Sequence, residues 1–124
     1  MTLVEAVPNV SEGRRHDVVE KLVNSVQQVP GSRLLDWSSD PSHNRTVLTI
    51  AGNPQGLTAA LLLLYEVAID LIDITIHKGE HPRIGIVDVV PFVPIRDFSI
   101  EDCVTLAGEF GSTVADRYGV PIYL

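Results

Sequence analysis

The sequence predicts an α+β fold in a single domain spanning residues 1–124. Helix-like apolar periodicity alternates along the chain with short runs rich in β-branched residues. Clusters of Gly, Pro, Ser and Asn separate these runs, and no repeat, linker or low-complexity segment divides them. A chain of this length buries roughly two-thirds of its unfolded surface, enough for one core.

The elements follow in order. The first strand lies in "LVEAVPNV" and ends at Pro8. A helix is expected from Arg14 to Gln28, because Val18, Val19, Leu22, Val23 and Val26 recur on one face, and "VPGS" stops it. "RLLDW" and "RTVLTIAG" read as two strands joined by "SSDPSHN", a turn-rich connection of hairpin type. "GNPQG" introduces a long apolar helix from Pro54 to Ile74. It is nearly long enough to span a membrane, but Glu66, Asp70 and Asp73 interrupt it at helical spacing, which describes a helix with a wet face. Leu62 falls in line with that polar stripe.

"IVDVVPFVPI" is the next strand. Its Pro91 and Pro94 mark an edge, a bulge or a strand end, since neither donates to a ladder. Ser99 and Asp102 form a capping signal for a third helix, with Cys103, Leu106, Ala107, Phe110 and Val114 on its apolar face. Gly119 stops that helix, and "VPIYL" is a short closing strand.

The order β-α-β-β-α-β, followed by an additional C-terminal α-β, matches the ferredoxin-like split βαβ arrangement with right-handed crossovers. That topology has a consequence for chemistry. If strand one finishes at the top, the first helix runs down, the second strand runs up and the hairpin turns at the top. The long helix then runs up again. Three connections, "PNVSEGRRH", "SSDPSHNR" and "HKGEHPRIG", are therefore expected at one end.

Those segments hold all four histidines (His16, His43, His77 and His81) and five of the nine basic side chains (Arg14, Arg15, Arg45, Lys78 and Arg83). The chain as a whole carries a net charge of -7, which argues against binding nucleic acid by bulk electrostatics. A local positive end in an acidic protein instead suits a small anion bearing carboxylates or phosphates.

His77 and His81 share the i, i+4 spacing of a zinc motif, but Gly79 lies between them and Pro82 biases His81 away from helix, so no metal site is expected. General acid–base chemistry fits better. Gly79 and Pro82 restrict where the His81 imidazole points, and histidine titrates near neutrality without perturbation. Asp88, alone among apolar neighbours, reads either as a buried carboxylate with a basic partner or as an outward-facing strand residue. Glycine-rich phosphate motifs and G-x-S-x-G are absent, and Ser11 and the serines of "SSDPS" need only capping or turn roles. Cys103, the single cysteine, reads as a core thiol and suits a reducing compartment. "MTLVEAVPNVSEG" has no signal-peptide pattern, so a cytoplasmic location is expected.

"VEAVPNVSEGR", "DPSHNRTVLTIAG", "HKGEHPRIGIVDVVPFVPI" and "VPIYL" resemble, in this order, the N-terminal subdomain of glutamate formiminotransferase, the transferase part of formiminotransferase-cyclodeaminase. The resemblance implies a ferredoxin-like subdomain. It also implies one-carbon transfer in histidine and glutamate catabolism: a formimino group passes from N-formiminoglutamate to N5 of tetrahydrofolate, the acceptor substrate, with no metal. The catalytic histidine of that family falls on His81. Asn9, Asp36, Asp40, Asn44, Arg45, Lys78 and Arg83 are the implied substrate- and folate-orienting residues.

Active members of the family continue past the equivalent of "VPIYL" into a second subdomain, with folate between the two. The implied function is thus a half-enzyme that needs a second subdomain or subunit. The alternative is a non-catalytic folate- or anion-binding or association module. Either way an apolar sheet face or helix surface is expected to be exposed and hidden by self-association, as a homodimer. Neither nucleic acid nor membrane is an expected partner.

Overall fold

A computed structural model describes residues 1–76, 87 and 90–119. Its elements are β1 (Leu3–Ala6), β2 (Asn9–Val10), α1 (His16–Gln27), β3 (Ser32–Asp40), β4 (Arg45–Gly52), α2 (Pro54–Ile76), β5 (Phe92–Arg96) and α3 (Ile100–Tyr118). They form an α+β structure in which the described strands pair antiparallel.

Alternation in β4 sets the geometry. Thr46, Leu48 and Ile50 are fully buried on one face, while Val47 and Thr49 point to the other. β3 pairs with one edge of β4, and β1 and β2 pair with the other. β5 pairs with the far edge of β1. The sheet therefore runs β3, β4, β1 with β2, then β5.

The first strand does not end at Pro8. β1 and β2 keep one register along β4, and Leu48 N–H donates to the Pro8 carbonyl at 3.1 Å. Proline lacks only the donor, so the ladder skips a bond and resumes at Asn9. β3 is also longer than expected. It runs past Trp37 to Asp40, with Ser38, Ser39 and Asp40 opposite Val47, Thr46 and Arg45. A hydroxyl pair between Ser39 and Thr46 at 2.9 Å supports this polar extension. Pro94 sits inside β5 opposite Val4, beside a bulge at Ile95, as the edge-or-bulge reading allowed.

The three helices cover the face that carries Val4, Ala6, Leu48 and Ile50. α1 contributes Val18, Val19, Leu22, Val23 and Val26, all five of the residues its periodicity singled out. It begins at His16 rather than Arg14, because residues 11–15 form a tight loop of their own. Asn53 starts α2: its Oδ1 accepts from Gly56 N–H at 2.7 Å, and Pro54 occupies the first turn, where no donor is needed. Leu57, Ala60, Leu61, Leu64, Ala68 and Ile72 then bury against the sheet, and Glu66 and Asp70 are exposed. By length and composition Pro54–Ile72 passes for a membrane span, but half of it is already buried in this core. Leu62 is not the exposed residue its alignment suggested. It is half-buried against the core, and its carbonyl accepts from Tyr118 Oη at 3.4 Å.

α3 starts on the expected capping box. Asp102 N–H donates to Ser99 Oγ at 2.9 Å, and Ser99 N–H donates back to Asp102 Oδ2 at 3.0 Å. It ends at Gly119 with φ 67°, a left-handed cap that favours glycine. Phe110 meets Phe92 edge-on at 6.0 Å and Tyr65 at 5.6 Å, which seats α3 on β5 and α2. Cys103 is buried in this layer, and burial followed by the nearby Asp102 charge pushes its thiol above the usual range, as suits a core residue. The closing strand expected in "VPIYL" lies outside the described residues.

Candidate functional site

The loop from Ser11 to Arg15 joins β2 to α1. Its organiser is Glu12, a residue buried to 3 % exposure. The carboxylate accepts from Arg14 N–H at 3.1 Å, Arg15 N–H at 2.9 Å and Arg15 Nε–H at 2.8 Å, and pairs with the remainder of the Arg15 guanidinium. Burial alone would raise its pKa. The Arg15 side-chain bond, the two backbone donors and the Arg15 charge outweigh that and hold it below the ordinary carboxylate range.

This loop is fastened to the turn of the β3–β4 hairpin. Gly13 N–H donates to Asn44 Oδ1 at 2.9 Å, and Arg14 Nε–H donates to the Pro41 carbonyl at 2.7 Å. Thr46 Oγ1–H donates to the Glu12 carbonyl at 2.5 Å. Gly13 has no room for a side chain: a Cβ there would stand 2.5 Å from Arg45 N and 2.8 Å from the Asp40 carbonyl oxygen. Two of the three connections expected at one end are thus one packed unit.

Asp40 shapes the turn. Its carboxylate accepts from Ser42 N–H at 3.0 Å and lies 2.5 Å from His43 Nδ1. The His43 bond is the main reason its pKa falls below the usual range. Asn44 adopts φ 51°, a left-handed conformation that asparagine tolerates, and its Oδ1 is occupied by Gly13.

The basic side chains at this end are not equivalent. Arg15 is neutralised by Glu12. Arg14 donates to carbonyls and has no acidic side-chain partner among the described residues. Arg45 is exposed and has no side-chain partner among the described residues.

Register adds what the loops alone did not show. Asp36 lies opposite Thr49, Asn9 opposite Val47, and Asp40 opposite Arg45. All six belong to the sheet face turned away from the helices. Glu5 with Ala51 and Val93 continues that face toward β5. No described element covers it. Asn9, Asp36, Asp40 and Arg45 therefore share one open surface, with Asn44 at its upper rim.

His77, Lys78, His81, Arg83 and Asp88 lie outside the described residues. Val87, between Arg83 and Asp88 in the sequence, bridges Val10 at the end of β2. Among the described residues no group of three or more His, Cys, Asp or Glu side chains is placed to hold a metal ion. Sequence reading passed over Glu12. The available signal was an acid three residues before an arginine at a helix entry.

Residues 3–124 match the model of the formiminotransferase domain, N-terminal subdomain. The chain is 46 % identical over 122 residues to formimidoyltransferase-cyclodeaminase of Sus scrofa, covering 98 % of this chain and 23 % of that protein. It is 43 % identical over 122 residues to glutamate formimidoyltransferase of Streptococcus pyogenes, covering 98 % of this chain and 41 % of the relative. A glutamate formimidoyltransferase of Thermoplasma acidophilum is 42 % identical over 124 residues, all of this chain and 41 % of its own length. The chain thus spans between about a quarter and two-fifths of these relatives.

Proposed function

Because the chain belongs to the formiminotransferase N-terminal subdomain family, we propose that it supplies one half of a folate-dependent formimino transferase acting in the cytoplasm. The observation that carries this reading is the open sheet face: it groups Asn9, Asp36 and Arg45 beside a rim made by the Gly13 and Asn44 loops. Polar groups spaced over an apolar surface suit a flat heterocycle, and the exposed arginine suits a carboxylate. The strand order, with helices on one side only, supports the ferredoxin-like reading of the subdomain.

The chemistry asks for two proton movements. N5 of tetrahydrofolate attacks the formimino carbon of N-formiminoglutamate, forming a C–N bond and gaining positive character. A base removes the N5 proton. The C–N bond to the glutamate nitrogen then breaks, and that nitrogen takes a proton as it leaves. His81 is the residue assigned to accept the first proton and return one to the leaving amine. Arg45, with Lys78 and Arg83, is assigned to the carboxylates, and Asn9, Asp36 and the amide nitrogen of Asn44 to ligand orientation.

A second reading, a non-catalytic folate-binding or association module, rests on the same uncovered face. Calorimetric titration with tetrahydrofolate, followed by an assay with N-formiminoglutamate, separates the two. Binding with turnover, alone or after a second formiminotransferase subdomain is added, supports the transferase. Binding without turnover under both conditions leaves the module. No binding under either condition refutes the transferase and the folate-binding module alike.

A further inference from the structure

Glu12 takes no part in the chemistry assigned above, yet it is the one buried carboxylate among the described residues. An ionised group is costly to bury unless each oxygen is satisfied, and here the Arg15 guanidinium and the Arg14 and Arg15 N–H groups satisfy both. Its backbone is used as well: the carbonyl accepts from Thr46 Oγ1, which in turn pairs with Ser39 Oγ at 2.9 Å.

We propose that Glu12 is a positioning residue that makes the α1 entry and the hairpin turn one rigid, anion-facing unit, so that Arg14 and Arg45 are presented to a ligand carboxylate already in place. The path is physical at every link. Glu12 holds the Arg14 and Arg15 backbone in a closed loop, that loop brings Gly13 N–H onto Asn44 Oδ1 at 2.9 Å, and Arg14 Nε reaches the Pro41 carbonyl at 2.7 Å. Pre-ordering the rim removes an entropy cost that a ligand would otherwise meet on binding. This rests on the folate-binding reading for its ligand, but the loop ordering can be measured without one.

Charge alone and positioning predict opposite signs. Neutralising the acid that pairs with Arg15 raises the local positive potential, which by itself tightens binding of an anion. Loss of positioning weakens it. The test compares Glu12→Gln with the wild-type chain by amide hydrogen exchange, by the Arg15 Nε–H resonance, and by calorimetric titration with tetrahydrofolate. Positioning is supported if Glu12→Gln speeds Gly13 exchange by about tenfold or more while Ile50 exchange is unchanged. The Arg15 Nε–H signal should be lost, and tetrahydrofolate affinity should fall about tenfold. Unchanged Gly13 exchange, or unchanged or tighter tetrahydrofolate binding, overturns it. Should Glu12→Gln fail to fold, Thr46→Val and Thr46→Ser decide by the same readouts: the serine variant keeps the hydroxyl bond to Glu12 and should behave as wild type, whereas the valine variant should loosen Gly13. If the wild-type chain itself binds no tetrahydrofolate, the functional reading fails, and Gly13 exchange alone decides the role of Glu12.

Discussion

Gly13 N–H donates to Asn44 Oδ1 at 2.9 Å across 31 residues of sequence, and this bond joins the entry of α1 to the turn of the β3–β4 hairpin. The close approach that permits it excludes any Cβ at Gly13, where Arg45 N and O would stand at 2.5 and 2.6 Å. Gly13→Ala is therefore expected to destabilise the fold by about 1–3 kcal/mol, the usual scale of overpacking against atoms that cannot move aside. Urea denaturation measures this. A midpoint equal to wild type would show that the two loops do not pack as described.

Asn44 combines an unusual backbone with an acceptor, and substitutions separate the two. Asn44→Ala loses the acceptor and places a β-carbon at φ 51° without the compensation asparagine offers. A loss of about 1–3 kcal/mol is expected, since Gly13 N–H is left unsatisfied. Asn44→Gly tolerates the backbone and should be milder. Asn44→Asp keeps an acceptor and should be milder still. The ranking is read from denaturant midpoints, and equal stability of all three would contradict it.

Acid should loosen the loop in a defined direction. The pKa of Glu12 is depressed in the folded chain, so its contribution is fully present above the ordinary carboxylate range. That contribution is lost as pH falls through the lower folded value. Stability measured between pH 7 and pH 3 should fall less steeply in Glu12→Gln than in wild type. Parallel profiles would mean that Glu12 is not held by Arg15 in solution.

The proton-transfer assignment is tested at His81. His81→Ala should lower formimino transfer roughly a hundredfold or more while leaving the urea midpoint unchanged, the scale expected for loss of a general base. Full turnover by the mutant, in whatever assembly restores activity to the wild-type chain, would remove His81 from the mechanism.

The uncovered sheet face also predicts association. Val93 and Ile95 are exposed on the edge strand β5 at 40 % and 49 %, with Glu5 of β1 opposite Val93. A contiguous apolar patch above roughly 400 Å² generally marks an interface, and a two-fold dimer is the simplest closed arrangement. Sedimentation at high concentration should show a dimer, and Val93→Lys should shift it toward monomer. A wild-type chain that stays monomeric at every concentration would count against the interface.

How much of the site could be read in advance varied with the kind of residue. The family resemblance points to Asn9, Asp36, Asp40, Asn44 and Arg45, but that the four strand-borne ones, Asn9, Asp36, Asp40 and Arg45, share one face is visible only in the register. Asp40 and Asn44 turned out to be engaged within the turn itself, the first by His43 and the second by Gly13. Arg15 looked like part of the positive end but is neutralised by a neighbour three residues away.

By itself the sequence determined the local elements. Valine periodicity places α1, Asn53–Pro54 opens α2, the Ser99–Asp102 box opens α3 and Gly119 closes it, because these signals act through hydrogen bonds and side-chain spacing within a single turn or two. The length of β3, the continuation of the first strand past Pro8, the partial burial of Leu62 and the burial of Glu12 were decided only by tertiary structure. Each depends on a partner distant in sequence: Thr46 opposite Ser39, Leu48 donating to Pro8, Tyr118 reaching Leu62, and Thr46 donating to the Glu12 carbonyl. A carboxylate at a loop reads as solvated until its surroundings are known. Only when two loops close around it does burial become possible, because only then do enough donors converge to replace the water it gives up.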